Sequence, residues 1–110
     1  MSEVTKLYDN AKITPKRCSE CDNNIDCGFG KDCYPPFTPE KQIEICKFLL
    51  KVEHSISYYF YENRYGFVID DKQDDCIEAE KFEIALAMIV NDLWQSLTEE
   101  EKQQVKGILE

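Results

Sequence analysis

The chain carries a single histidine, His54, and only four glycines and four prolines among its 110 residues. With His54 alone, nothing in the sequence argues for a Cys/His dyad or a Ser/His/Asp triad, so hydrolase chemistry of those kinds is disfavoured. His54 falls at the end of an expected helix, where its charged form suits the helix dipole better than it suits a metal. Scarce glycine and proline beside 43% hydrophobic and 12% aromatic residues exclude a globally disordered chain. No apolar run approaches the roughly 18 residues that span a bilayer. The N-terminus MSEVTKLYDNAK also lacks the charged-then-apolar pattern of a signal peptide, so the expectation is a cytoplasmic protein with no membrane partner.

Basic residues are scarce as well. Thirteen Lys/Arg stand against 22 Asp/Glu, a formal charge of −9. Residues 40–110 hold eight basic and sixteen acidic side chains, a net of −8, whereas residues 1–39 hold five and six, a net of −1. A body so negative repels phosphate, and no direct nucleic-acid contact is expected from it. The length suits one domain, read as an N-terminal segment, 1–37, that forms one compact unit with an acidic α+β body, 38–110.

What the chain does have is cysteine at close spacing. Cys18-x2-Cys21-x5-Cys27-x5-Cys33 places four thiols within sixteen residues, separated by Asp22, Asn23, Asn24, Gly28 and Gly30, which tolerate sharp turns. In a reducing compartment such a cluster points to metal coordination in preference to disulfides. Four thiolates converging at about 2.3 Å make a tetrahedral structural zinc site. An iron–sulfur cluster ranks below zinc, because neither familiar ferredoxin spacing occurs. A closed four-thiolate site has no open position for water or substrate, so it organises the chain and does not catalyse.

The other candidates are weaker. Cys46 sits among Ile45, Phe48 and Leu49 and reads as a small core residue. Cys76 lies between Asp75 and Ile77 in an acidic stretch whose field disfavours a thiolate nucleophile. Gly28-Phe29-Gly30-Lys31 lacks the second half of any nucleotide fingerprint. Asp70, Asp71, Asp74, Asp75, Glu78 and Glu80 lack the spacing and central glycine of a calcium loop and read as a solvated acidic loop.

The expected fold is α+β: a four-cysteine metal knuckle, then a helix, a two-stranded antiparallel hairpin and two C-terminal helices. Tyr34-Pro35-Pro36 makes a stiff connector. Thr38, Pro39 and Glu40 then start a helix that runs to about Glu53. The run Ser55 to Tyr61 reads as a strand, Glu62 to Gly66 as a loop, and Phe67 to Ile69 as the returning strand. Phe82, Leu86, Ile89, Leu93 and Leu97 recur at helical spacing. Thr98 and Glu101 form a capping box for a final helix. Because a lone hairpin is marginal, a third strand from Thr5 to Ile13 or a sheet-extending dimer is expected.

Tyr58, Tyr59, Phe60, Tyr61, Tyr65 and Phe67 give the hairpin more aromatic surface than one face can bury, which points to a protein partner or a homodimer. The functional expectation is a small noncatalytic interaction or regulatory accessory protein with a structural zinc. The alternatives are an acidic nucleic-acid mimic that inhibits a DNA- or RNA-binding protein, and an iron–sulfur or redox protein.

Overall fold

Val4, Leu7, Tyr8 and Ala11 recur at three, four and seven residues, the spacing of one helical face. In the computed structural model, which describes residues 3–13, 36–52, 56–69 and 76–110, Glu3–Asn10 form helix α1 and all four of these side chains are buried. The expectation of a strand over Thr5 to Ile13 is thereby corrected. Buried residues at that spacing suit a helix, and α1 packs against a later helix and forms no strand of the sheet.

The next helix, α2 (Pro39–Val52), begins and ends close to expectation. Proline needs no N–H at the first helical position, and the Thr38 hydroxyl accepts from the Lys41 amide at 3.3 Å. Ile45, Phe48 and Leu49 are its buried face.

The hairpin is tighter than the sequence suggests. Strand β1 (Ile56–Tyr61) pairs antiparallel with β2 (Arg64–Ile69), leaving only Glu62 and Asn63 in the turn. Both carry positive φ, 52° and 63°, as a two-residue turn matching the strand twist requires. Gly66, expected in the loop, instead lies within β2.

A third strand, β3 (Ile77–Ala79), pairs antiparallel with β2 and gives the order β1-β2-β3. Residues 77–79 were expected in an acidic loop. The apolar–acid–apolar alternation of Ile77, Glu78 and Ala79 puts Glu78 on one face and its neighbours on the other, so one acidic residue does not spoil the strand.

Helix α3 (Phe82–Leu93) is the centre of the core, with Ala85, Leu86, Ala87, Ile89 and Val90 all inaccessible to solvent. It is shorter than expected. A 3-10 turn over Trp94–Ser96 follows, and Leu97 swings to φ −77°, ψ 143°, delivering Thr98 in extended form. Thr98 then caps α4 (Glu99–Leu109) in a capping box: its hydroxyl accepts from the Glu101 amide at 3.2 Å, while the Glu101 carboxylate accepts from the Thr98 amide at 2.9 Å.

Among the described residues the chain is therefore α+β, with four α-helices and a three-stranded antiparallel sheet. One core joins Val4 and Leu7 of α1, Ile45 and Phe48 of α2, Phe67 of β2, the buried face of α3, and Val105 and Leu109 of α4. The four cysteines of the expected knuckle, Cys18, Cys21, Cys27 and Cys33, lie outside the described residues.

Candidate interaction surface

Alternation along the strands sorts the sheet into two faces. Tyr58 and Phe60 of β1 stand opposite Phe67 and Tyr65 of β2, and Tyr65 and Phe67 in turn stand opposite Ala79 and Ile77 of β3. This face receives α3 through Phe82, whose ring meets those of Tyr58, Tyr65 and Phe67 with centroids 5.5, 5.7 and 6.2 Å apart. Tyr58 also packs on Phe67 at 5.6 Å and Phe60 on Tyr65 at 4.9 Å. These distances lie in the range of favourable tilted and edge-on aromatic pairs.

Cover by α3 reaches the outer strand only in part, through Phe82 against Tyr58. Tyr58 and Phe60 keep 52% and 55% of their surface exposed although they lie on the helix-bearing face, and Tyr61 on the opposite face keeps 68%. Beside them Cys46, Leu49, Leu50, Ile56, Tyr58 and Phe67 line an apolar cleft of about 140 Å³ between α2 and β1. Leu50, 73% exposed, stands at its rim, and Ile43, 56% exposed, lies two turns earlier on the same side of α2. Three of the large exposed apolar side chains thus sit on one six-residue strand, and the cleft carries the patch onto the neighbouring helix.

The opposite face is polar and locked. Tyr59, Gly66 and Glu78 stand in register across the three strands. The Tyr59 hydroxyl donates to Glu78 Oε1 at 2.8 Å, and Arg64 approaches the same residue, with Nε 3.6 Å from Oε2 and an NH2 donating to the backbone carbonyl at 3.4 Å. Burial, the Glu78 hydrogen bond and the neighbouring Cys76 push the Tyr59 phenol well above its ordinary value of 10.0.

Among the other residues singled out from the sequence, Cys46 is half-buried at the cleft, and burial pushes its thiol up, away from the reactive thiolate. Cys76 is exposed just before β3. Glu78 belongs to β3 and is held by Tyr59 and Arg64, so it is not part of a solvated loop. His54, Asp70, Asp71, Asp74 and Asp75 lie outside the described residues, as do the four cysteines of the proposed zinc site. Among the described residues no group of three or more His, Cys, Asp or Glu side chains converges, and no helix is long and apolar enough to cross a membrane.

The aromatic excess is legible in the sequence, whereas the cleft is not, because its lining comes from α2 and both hairpin strands. A periodicity argument cannot set those elements side by side. Comparison with known proteins adds no relative, since no family model, curated protein or solved structure matches the chain.

Proposed function

We propose that the chain is a noncatalytic interaction or regulatory accessory protein that engages a protein partner through the edge of β1 and the cleft beside it. Strand β1 carries the reading: its six residues contain no charge and no proline, and Tyr58, Phe60 and Tyr61 are exposed, in a chain of which 32% is charged. Long open edges normally bear a charge, a proline or a bulge to block pairing, and aromatic residues are the ones enriched where surfaces meet. Extended segments add to such an edge through main-chain hydrogen bonds, with side-chain pockets supplying selectivity.

In this reading Cys18, Cys21, Cys27 and Cys33 hold a structural zinc that orders the N-terminal segment. The Cys-x2-Cys start and the four-thiol count support it. Metal analysis and the absorption spectrum of untagged protein test it: one zinc per colourless chain is expected, lost in Cys18→Ser. A visible absorbance band would replace zinc with an iron–sulfur cluster.

Capture experiments in extract of the native cell, with wild-type and Phe60→Lys baits compared at rising salt, test the surface. A partner held by the aromatic edge is retained as salt rises and is lost in Phe60→Lys. A nucleic-acid mimic acting through its net of −8 would instead bind a basic protein with steep salt dependence, and Phe60→Lys would leave that binding intact.

A further inference from the structure

The two sheet edges differ in a way that selects the occupant. The β3 edge is three residues long and has Glu78 at its centre, so shortness and charge both discourage pairing there. The β1 edge is six residues long and carries neither device. We propose that β1 pairs with β1 of a second copy of this chain, antiparallel about a two-fold axis, joining two three-stranded sheets into one of six strands. This rests on the reading of β1 as the interaction surface.

Self-pairing is favoured by the strand's own composition. In an antiparallel pair the residues directly opposite share a face, so a strand meeting itself must pair positions of the same parity. Centring the axis on Tyr59 sets Tyr58 opposite the second copy's Phe60, Phe60 opposite its Tyr58, and Ser57 opposite its Tyr61. Both half-exposed rings on the helix-bearing face then gain an aromatic cross-strand partner in the second copy, a class of pair that stabilises sheets. A contact of this kind is closed after two copies, because each surface is used up by its own equivalent.

Charge points the same way. Two copies of a chain at −9 repel wherever acidic surfaces meet, yet Ile56 to Tyr61 brings no like charges face to face. A strongly basic partner, which the net charge would favour, finds no carboxylate on β1 to recognise.

The exposed aromatic area supplies a large part of such a contact. Three aromatic side chains exposed by 52%, 55% and 68% leave on the order of 350 Å² of ring to cover, taking about 200 Å² per full side chain. Leu50, Ile43 and the main-chain edge of β1, which no other strand pairs among the described residues, bring the patch towards the roughly 800 Å² per partner of a standard interface.

Light scattering or sedimentation equilibrium on the full chain tests this. At high micromolar concentration the wild type is expected at twice the 12.9 kDa chain mass. Phe60→Lys and Tyr61→Lys are expected to halve that mass with unchanged far-UV circular dichroism. Tyr61→Lys guards against misfolding, since its ring is the more exposed of the two. Amide exchange over 56–61 is expected to slow as concentration rises. A wild type at 12.9 kDa throughout, or a dimer that survives both lysine variants, overturns the second copy as occupant. If that monomer still captures a partner that Phe60→Lys loses, the edge reading stands while self-pairing fails; if no partner depends on the edge, both fail.

Discussion

The ring of Tyr59 lies over Gly66, its cross-strand neighbour, so closely that a methyl group on Gly66 would collide with the ring and its hydroxyl. Gly66 is buried, and the space it leaves lets the phenol cross β2 to reach Glu78 on β3. A glycine within a strand ordinarily weakens it. Here the aromatic ring covers the bare backbone and ties three strands together.

Gly66→Ala is therefore expected to cost about 1–2 kcal/mol, the ring being driven off Glu78 and its hydrogen bond lost. The cost belongs to the pair. In a Tyr59→Ala background the same substitution meets no ring, and alanine is then neutral or mildly stabilising, because a side chain suits a strand better than none. Urea midpoints around this cycle check the coupling, and additive changes would show that the two residues do not meet.

The same phenol sets an alkaline limit. Its folded pKa is raised above the ordinary 10.0, by burial first and then by the hydrogen bond to Glu78, so the neutral phenol is the form the fold favours. The stabilisation is complete below the unfolded value and is lost as pH climbs from 10.0 towards the raised folded value. Between those two values the wild type is expected to lose stability more steeply with pH than Tyr59→Phe, which has nothing to ionise. Parallel curves for the two proteins would remove Tyr59 from the account.

Where one residue's local chemistry decides the structure, the sequence was readable. Thr38 before Pro39 and Thr98 before Glu101 mark the starts of α2 and α4, and both caps form. Elements whose identity depends on distant neighbours were harder. Val4, Leu7, Tyr8 and Ala11 hold a helical period, yet α1 is only eight residues long, a length marginal by itself and stable here through burial against α3. Ile77 to Ala79 is too short to announce a strand, and only pairing with Tyr65 to Phe67 makes it one. The aromatic excess of the hairpin was visible in composition, whereas the cleft beside it needed α2 to be laid alongside β1.

Gly107 is the counterexample to Gly66. It lies inside α4, exposed, and a methyl group there would meet nothing within 4 Å. Glycine in a helix interior costs roughly 0.5–1 kcal/mol relative to alanine through the freedom it loses on folding. Gly107→Ala is expected to stabilise the protein by about that amount, read as a higher urea midpoint with an unchanged slope. A destabilised variant would show that the open space over Gly107 is occupied in solution.

Asn91 on α3 is the polar link that α1 requires. Its Nδ2 donates to the Glu3 carbonyl at 2.7 Å and lies 3.3 Å from the Glu3 carboxylate, while its Oδ1 accepts from the Asn10 side-chain Nδ2 at 3.0 Å. Only a side chain that both donates and accepts satisfies this arrangement. Asn91→Ala removes the bonds and is expected to cost about 1–2 kcal/mol. Asn91→Asp keeps the shape and the Asn10 contact but sets an ionised carboxylate against the Glu3 carbonyl and carboxylate, with no proton to donate. At neutral pH it is expected to be less stable than Asn91→Ala, although the change is smaller in volume. As pH falls and the new carboxyl is protonated, its O–H can donate to the Glu3 carbonyl, so the order of the two variants should narrow or reverse. Urea midpoints of both variants at neutral and acidic pH check this. An Asp variant as stable as the wild type at neutral pH would mean that the Asn91 to Glu3 contact does not hold α1 in place.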